Sequence, residues 1–541
     1  MQRTVVVTGS AVGIGAAIAE ELGRTGAFVV TLDPSVSVDG TSRITDTGPT
    51  TAERILAAGG RARASNASVT DFDAVSALFN GLVDEFGALD AVVNVAGISR
   101  ATGFGAGAEA DWAAVVSVHL QGYLNVLRAA LPLMAEAGHG RILGVTSGSG
   151  WRHANAGAYS VAKRAVAALT WQIGRVAPAG VTVNALSPIA LTRMVTGGTG
   201  RSAPPATEPE RPTGNGATGG LSLAFSAMPA PENLGPIGAY LASEQFAWSS
   251  GNIIFSSGAE AAYVAAPHLL EVVRTTDTVS LPSVLDAVVT RAFIPAEVAQ
   301  GTNGGNNPRF AGVFDERGEA AAAPRDGATC LVVGHHAAWN VSVTKALEAR
   351  GVRCLDGRVT DRNIADADAV VLVAMADGAA AGRAAEATWQ DVLAQHTGVV
   401  EALVADAAWI NAVAGQAAVR GKPARVVVLT SEVSAGGHTH GQALAQLSRA
   451  AHLVPEPSVD VFVVRVGDLS DESRHAVSEL TAHLVCTPGT GELSGAEFVT
   501  GPGWLALASH PSPRGSITFG GPEVPEWFDG ALKRLVTGHP L

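Results

Sequence analysis

Cysteine is nearly missing from this chain. There are three in 541 residues, Cys330, Cys354 and Cys486, and no two form a CxxC pair. Their scarcity argues against a disulfide framework and against a thiolate metal site, and a reduced compartment is expected. Charged residues are also scarce at 16%, with a net charge of −13. An excess of negative charge disfavours nucleic acid or an anionic membrane surface as the main partner. No unbroken apolar run approaches the ~18 residues of a transmembrane helix. The first strand-like run, Thr4–Thr8, begins too early to leave room for a signal peptide. The expectation is a cytoplasmic protein with no membrane partner, no nucleic-acid partner and no metal.

What is abundant is apolar residues at 47%, together with 63 glycines. Aromatics make up only 5%, so large cores must be built from Ala, Val and Leu, as α/β packing allows. The length exceeds what one ordinary core holds, which implies more than one domain. Strand-like runs at Thr4–Thr8, Phe28–Leu32, Ala91–Val95, Arg141–Thr146 and Val181–Leu186 alternate with helical stretches. Those helices are expected at Ile14–Thr25, Asp71–Phe86, Trp112–Ala137 and Tyr159–Val176. A further helix is expected at Pro231–Ser243 and a strand at Asn252–Phe255. Alternation of this kind predicts βαβ units in a parallel, doubly wound sheet.

The stretch 197–220 is rich in Gly, Pro and Thr and reads as a loop, with Arg201 and Arg211 its main chemical features. A second such stretch, 300–327, reads as a linker. Alternation then restarts with strands at Thr329–Val333, Ala369–Val373, Ala424–Thr430 and Val459–Val466. Helices are expected between them at Val341–Arg350, 380–418 and Gly441–His452. The chain therefore reads as two tandem Rossmann-like α/β units, 1–299 and 328–541, joined by 300–327.

Chemistry is concentrated in the first unit. "TGSAVGIG" (8–15) lies between a strand and a helix, and Gly9, Gly13 and Gly15 let a pyrophosphate approach the helix N-terminus. Ser10 and Ile14 complete that turn. Asp33 ends the second strand, where a carboxylate can take ribose hydroxyls and repel a 2′-phosphate. NAD is therefore expected ahead of NADP. Tyr159 and Lys163 stand one helical turn apart, and Ser147 ends the strand before them. A tyrosine with an ordinary pKa near ~10 needs nearby positive charge to act at neutral pH. One charge at ~4 Å in a medium of dielectric ~20 supplies about 4 kcal/mol, enough for a shift of two or three units. Lys163 and an oxidised nicotinamide can supply it, while Ser147 holds the substrate oxygen.

As a set, "TGSAVGIG", "VVNVAG" (92–97), "TSGSG" (146–150), "YSVAK" (159–163) and "VNALSPIALTRM" (183–194) resemble the short-chain dehydrogenase/reductase family. The resemblance covers roughly 1–270. It implies a Rossmann-type sheet and hydride transfer between nicotinamide and an alcohol/ketone pair. It further implies Asn94, Ala96 and Gly97 beside the adenosine half of the cofactor, and Pro188, Ile189 and Thr192 beside the nicotinamide. The inserted loop after Asp33 and "VHLQG" (118–122) resemble the 3-hydroxyacyl-CoA dehydrogenase modules of multifunctional enzymes. Four departures stand out. His119 replaces the family's active-site Asn, and Val95 replaces a second Asn. The acidic residue at the adenine is missing, with Asn66 the nearest polar candidate. The Ser147–Tyr159 spacing is short by one residue, with Ser149 in reserve. Trp151, Arg152 and His153 fall in that shortened loop.

The second unit keeps the pattern without the chemistry. "CLVVGHHAAWN" (330–340) has Gly334 alone where the first turn has three glycines, with His335 and His336 beside it. Aligned on Thr430-Ser431, the residues in place of Tyr and Lys are His440 and Leu444. This half resembles a degenerate copy, expected to be non-catalytic. Its helices 386–418 and 441–452 are expected to pair with 115–137 and 159–176, as two subunits of the family pair. Intramolecular pairing is expected, with a homodimer as the alternative. The overall reading is an NAD-dependent oxidoreductase on a secondary alcohol or ketone. Acyl-CoA, cyclic and steroid-like substrates stay open. The competing readings are an NADP-dependent ketoreductase and a dinucleotide-binding scaffold without turnover.

Overall fold

A computed structural model describes residues 3–45, 48–194, 228–276, 280–300, 328–355, 364, 366–375, 387–454 and 458–538. The loop expected at 197–220, with Arg201 and Arg211, and nearly all of the 300–327 linker lie outside these residues.

Six strand–helix repeats build the first sheet: β1 (Thr4–Thr8), α1 (Gly13–Arg24), β2 (Phe28–Leu32), α2 (Thr51–Ala57) and β3 (Arg61–Ser65) open it. They are followed by α3 (Phe72–Phe86), β4 (Ala91–Asn94), α4 (Glu109–Val116), α5 (Gly122–Ala137) and β5 (Gly140–Val145). Then come α6 (Ala158–Arg175), β6 (Val181–Pro188), α7 (Gly235–Leu241), β7 (Ile253–Ser256) and β8 (Glu260–Ala265). Local sequence explains the boundaries. Asp71 caps α3 by accepting from Ala74 N, and Gly87 ends it in the left-handed region. Thr50 and Glu53 form a reciprocal capping box on α2. Strands β1 and β4 are buried throughout, as strands covered on both faces must be.

The helix expected at Trp112–Ala137 is interrupted. Between α4 and α5 the chain makes a π turn, Ser117–Gln121, and His119 sits in it. Such turns re-aim side chains within a helix and recur at functional sites.

The chain continues with β9 (Leu269–Arg274), α8 (Leu281–Val288) and α9 (Ile294–Ala299). A second sheet is then laid down by β10 (Thr329–Gly334), α10 (Ala337–Glu348), β11 (Arg353–Leu355), β12 (Ala369–Ala374), α11 (Trp389–Ala394) and α12 (Val399–Arg420). It is completed by β13 (Ala424–Ser431), α13 (Ala435–Arg449), β14 (Val459–Val466), α14 (Asp471–Cys486), β15 (Glu497–Gly501) and β16 (Trp504–Ala508). The last elements are β17 (Ser512–Thr518) and α15 (Phe528–Thr537).

The order of the first sheet is β17-β8-β7-β6-β5-β4-β1-β2-β3, and that of the second is β11-β10-β12-β13-β14-β15-β16-β9. These orders correct the division expected at 299. The strand that follows β8, namely β9, leaves its own sheet and pairs antiparallel with β16. The strand that follows β16, namely β17, returns to pair antiparallel with β8. Each half thus lends its outermost strand to the other. The helices go with them: Leu285 and Phe293 join the core of the second half, and Phe528 and Leu532 join that of the first. Both lent strands are mostly exposed edge strands, which is why no apolar alternation marked them.

Between the sheets lies a helix layer. One continuous core runs from Leu127, Val166 and Leu169 to Leu403, Ile410 and Leu444. Helix α12 is long and apolar enough by length and composition to cross a membrane. Here its Leu403, Ala407, Ile410 and Ala417 are buried in that shared core. Within that layer α6 packs against α13, and α4 against α12.

Candidate active site

A cavity of about 1400 Å³ opens where the chain leaves β1, β2, β4, β5 and β6, the edge at which doubly wound sheets bind ligands. Gly9, Gly13, Ile14, Gly15 and Asp33 line one end of it, and Ser147, Tyr159, Lys163 and His119 line the other. Ala96, Gly97, Pro188, Ile189 and Thr192 border it between these ends.

The glycine turn has the shape a pyrophosphate requires. A Cβ on Gly9 would lie 2.6 Å from Ala96, and one on Gly15 would lie 2.2 Å from the Gly9 carbonyl. Gly13, with φ of +65°, faces open space, its nearest neighbour being a Thr192 methyl at 3.9 Å. A side chain there would fill the cradle in front of the α1 N-terminus. Thr8, given no role by sequence reasoning, organises this end. Its hydroxyl donates to Asn94 Oδ1 at 2.9 Å and accepts from the backbone N–H groups of Val95 and Ala96, each at 3.1 Å.

Three expected cofactor contacts are displaced. Asn94 is buried under the turn, held by Thr8, and does not line the cavity. Ser10 is also buried, its hydroxyl without a partner, and stands outside the lining. Asn66 is exposed, because the chain turns outward after β3; Ser68, Val69 and Thr70 line that end instead. Asp33 remains at the cavity and already accepts from Ala11 N at 2.9 Å and Ser35 N at 2.7 Å. The inserted loop brings Val36, Val38, Asp39 and Arg43 back to the cavity wall. Sequence spacing gave no sign of that return.

At the other end, β5 and α6 are stitched in both directions. Thr146 Oγ1 donates to Lys163 O at 2.6 Å, and Lys163 Nζ donates to Val145 O at 2.6 Å. Lys163 Nζ also lies 5.6 Å from the centre of the Tyr159 ring. Burial raises the Tyr159 pKa, and the nearby Ser147 hydroxyl opposes the rise. Burial alone brings the Lys163 ammonium down to about 7. His119 meets Tyr159 edge to face, ring centres 5.1 Å apart. Its Nε2 contacts Ile98 O at 2.8 Å. Burial, and then the charge on Lys163, hold His119 well below the usual imidazole range. A neutral ring must donate from Nε2 to that carbonyl, which leaves Nδ1, without a partner among the described residues, as an acceptor. The residues named from sequence for the catalytic end are thus brought together, and Ser149, Arg152 and His153 join them in the lining.

Among the described residues of the second half no Tyr or Lys stands in the corresponding places, and its geometry corrects the register read from sequence. In the first half Thr146 Oγ1 touches the backbone of Lys163. In the second, Thr430 Oγ1 stands 2.7 Å from where a Cβ on Gly441 would be. Arg164, which follows Lys163, bonds Gln442, which follows Gly441. Gly437 and Gly441, not His440 and Leu444, therefore occupy the Tyr and Lys places. His440 instead faces Asp406 on α12 at 2.8 Å. At the first turn, Gly334 packs against Val373, and Asn340 Nδ2 donates to its carbonyl at 2.8 Å.

A family model described as short chain dehydrogenase matches residues 3–199. The short-chain reductase protein NovJ of Streptomyces niveus is 36% identical over 188 residues, 35% of this chain and 68% of that protein. Cis-4-hydroxycyclohexanecarboxylate dehydrogenase of Sinomonas cyclohexanicum is 37% identical over 190 residues, 35% of this chain and 72% of that protein. Peroxisomal multifunctional enzyme A of Dictyostelium discoideum is 33% identical over 196 residues, 36% of this chain and only 43% of that protein. The chain belongs to the short-chain dehydrogenase/reductase family. It is an oxidoreductase acting on CH–OH groups, with a nicotinamide dinucleotide as its cofactor.

Proposed function

We propose that the first half of the chain interconverts a secondary alcohol and a ketone with NAD(H), and that the second half is a non-catalytic copy serving as its in-chain partner. One observation carries the reading: Ser147, Tyr159 and a buried Lys163, its Nζ 5.6 Å from the Tyr159 ring, line the same cavity as the glycine turn and Asp33. In oxidation, Tyr159 Oη takes the hydroxyl proton of the substrate. Ser147 Oγ–H orients the substrate oxygen so that this transfer is in line. Lys163, when protonated, stabilises the phenolate that Tyr159 must become. The dinucleotide, when bound, accepts or returns the hydride. Gly9, Gly13 and Gly15 would hold its pyrophosphate, and Asp33 its adenosine ribose. Relatives named for cyclic alcohols and for peroxisomal multifunctional chemistry make cyclic alcohols and 3-hydroxyacyl thioesters the substrates to try first.

Tyr159→Phe removes the proton acceptor and leaves the ring. Turnover should fall by about 10²- to 10⁴-fold, while NADH binding, read by nicotinamide fluorescence, is retained. Unchanged turnover would exclude the mechanism. Retained binding with no turnover by the wild type over a broad alcohol panel would instead support a scaffold role. An NADP-dependent reading is favoured by Arg43 on the cavity wall. Titrating NADH and NADPH in parallel separates the two, since Asp33 should weaken binding of the 2′-phosphate.

A further inference from the structure

We infer that the second half sets the shape of the substrate side of the cavity, through Gln446 and Arg449 of α13. Both are positioning residues for loop 148–157, and neither touches the reacting atoms. The kinetic consequence rests on the oxidoreductase reading above; the structural one does not.

The loop runs from Ser147 to the start of α6, and Gly148, Ser149, Arg152, His153 and Asn155 line the cavity. It is an unusual loop, because Trp151, Arg152 and His153 are only 2%, 5% and 4% exposed. Its carbonyls are therefore shielded from water and need partners within the protein. Two of these partners come from the other half. Arg449 Nη1 donates to Trp151 O and Gln446 Nε2 donates to Arg152 O, each at 2.7 Å and each buried. From its own half the loop is held at different points: Trp151 Nε1 donates to Ser187 Oγ at 2.9 Å, and Asn155 Oδ1 accepts from Phe104 N at 2.7 Å. The Arg152 side chain lies folded across Gly148, where a Cβ would fall 1.8 Å from Nη2. A shift of the two carbonyls would thus move the Arg152 guanidinium, which lies against the residue after Ser147, and the His153 side chain in the cavity wall.

The clamp acts in one direction. With Gly441 in the Lys163 place, Gln446 and Arg449 stand in the places of Ala168 and Trp171 on α6. The Ala168 side chain has no donor, and the Trp171 indole N–H has no hydrogen-bond partner among the described residues. Nor is there a loop for them to hold, because α13 starts at Ala435 soon after β13 ends at Ser431.

The test uses the full chain with Gln446→Met and, separately, Arg449→Met, which keep side-chain length and remove the donor. Hydrogen exchange of amides 148–157 should quicken by about 10- to 100-fold, and KM for a panel alcohol should rise by a similar factor. Affinity for NADH should stay near that of the wild type, since the glycine turn lies at the other end of the cavity. Arg449→Lys, which keeps a donor, should restore most of the KM. Wild-type loop exchange and KM in Gln446→Met would overturn the inference, and that variant decides if Arg449→Met does not fold. If the wild type turns over no alcohol in the panel, the functional reading fails, and the exchange rates alone decide the clamp.

Discussion

The places that hold Tyr159 and Lys163 on α6 hold Gly437 and Gly441 on α13. The space that Lys163 needs is taken in the second half by Arg465, whose Cγ and Cδ stand 2.9 Å from a Cβ at Gly441. Arg465 Nη1 donates to Glu432 at 2.7 Å, Glu432 also faces His438 at 2.7 Å, and Arg465 reaches Glu497 at 3.4 Å. Glu497 in turn receives Arg164 from the first half at 2.6 Å. In the second half the place of Lys163 thus belongs to an ion network that joins the halves. What the second half retains is the face that meets the first.

The sharpest way to break the comparison is to separate the halves. A chain ending near residue 300 loses β17 and α15 from its own sheet, uncovering β8 and the partners of Phe528 and Leu532. It also leaves β9 without β16 and α6 without α13. No soluble monomer is expected, only precipitate or a self-associated form that buries the same surface. Size-exclusion chromatography with light scattering reads the outcome. A monodisperse monomer that binds NADH would show that the strand exchange is dispensable.

A smaller break is Arg164→Met, which keeps the helix and removes the charge at the centre of the interface. Arg164 and Glu497 are both buried, at 0% and 1% side-chain exposure. Removing one member of such a pair leaves the other uncompensated, at a cost of about 3–5 kcal/mol. Arg465 and His510 remain near Glu497 and should hold the loss to the lower part of that range. Denaturant unfolding measures it; a change under about 0.5 kcal/mol would mean that the two halves are not coupled through this pair.

How much of this was legible depends on how far apart the partners lie in sequence. The glycine turn and the Tyr159–Lys163 pair are local, and their geometry follows from strand, turn and helix periodicity. Asn66 was misplaced because β3, with exposed arginines at Arg61 and Arg63, carries no apolar alternation to show where the chain turns. Gly437 and Gly441 were missed because glycine leaves no chemical trace, and the eye settles on His440. The exchange of β9 and β17 was beyond reach. His268 and Ser509, which hydrogen-bond where the two crossing segments meet, are 241 residues apart. Only the closure of both sheets brings them together.

The finest comparison sets Lys163 against Gly441 as a matter of charge. Burial lowers the Lys163 pKa from 10.5 to about 7 in the folded protein without cofactor. Its folded pKa lies below its unfolded one, so between about pH 7 and 10.5 the unfolded chain binds the extra proton. Stability on this account is complete above pH 10.5 and falls as pH drops through about 7. Below that point the cost of burying the ammonium is constant. Lys163→Met lifts this cost, which the second half, with Gly441 in that place, does not bear. The variant should therefore be more stable than the wild type at pH 6, by on the order of a few kcal/mol, less the value of the Lys163–Val145 hydrogen bond. The advantage should shrink steadily toward pH 10. Thermal unfolding of both proteins without dinucleotide, at pH 6, 8 and 10, reads the difference. A gap that does not narrow with pH would mean that Lys163 keeps its proton at ordinary affinity.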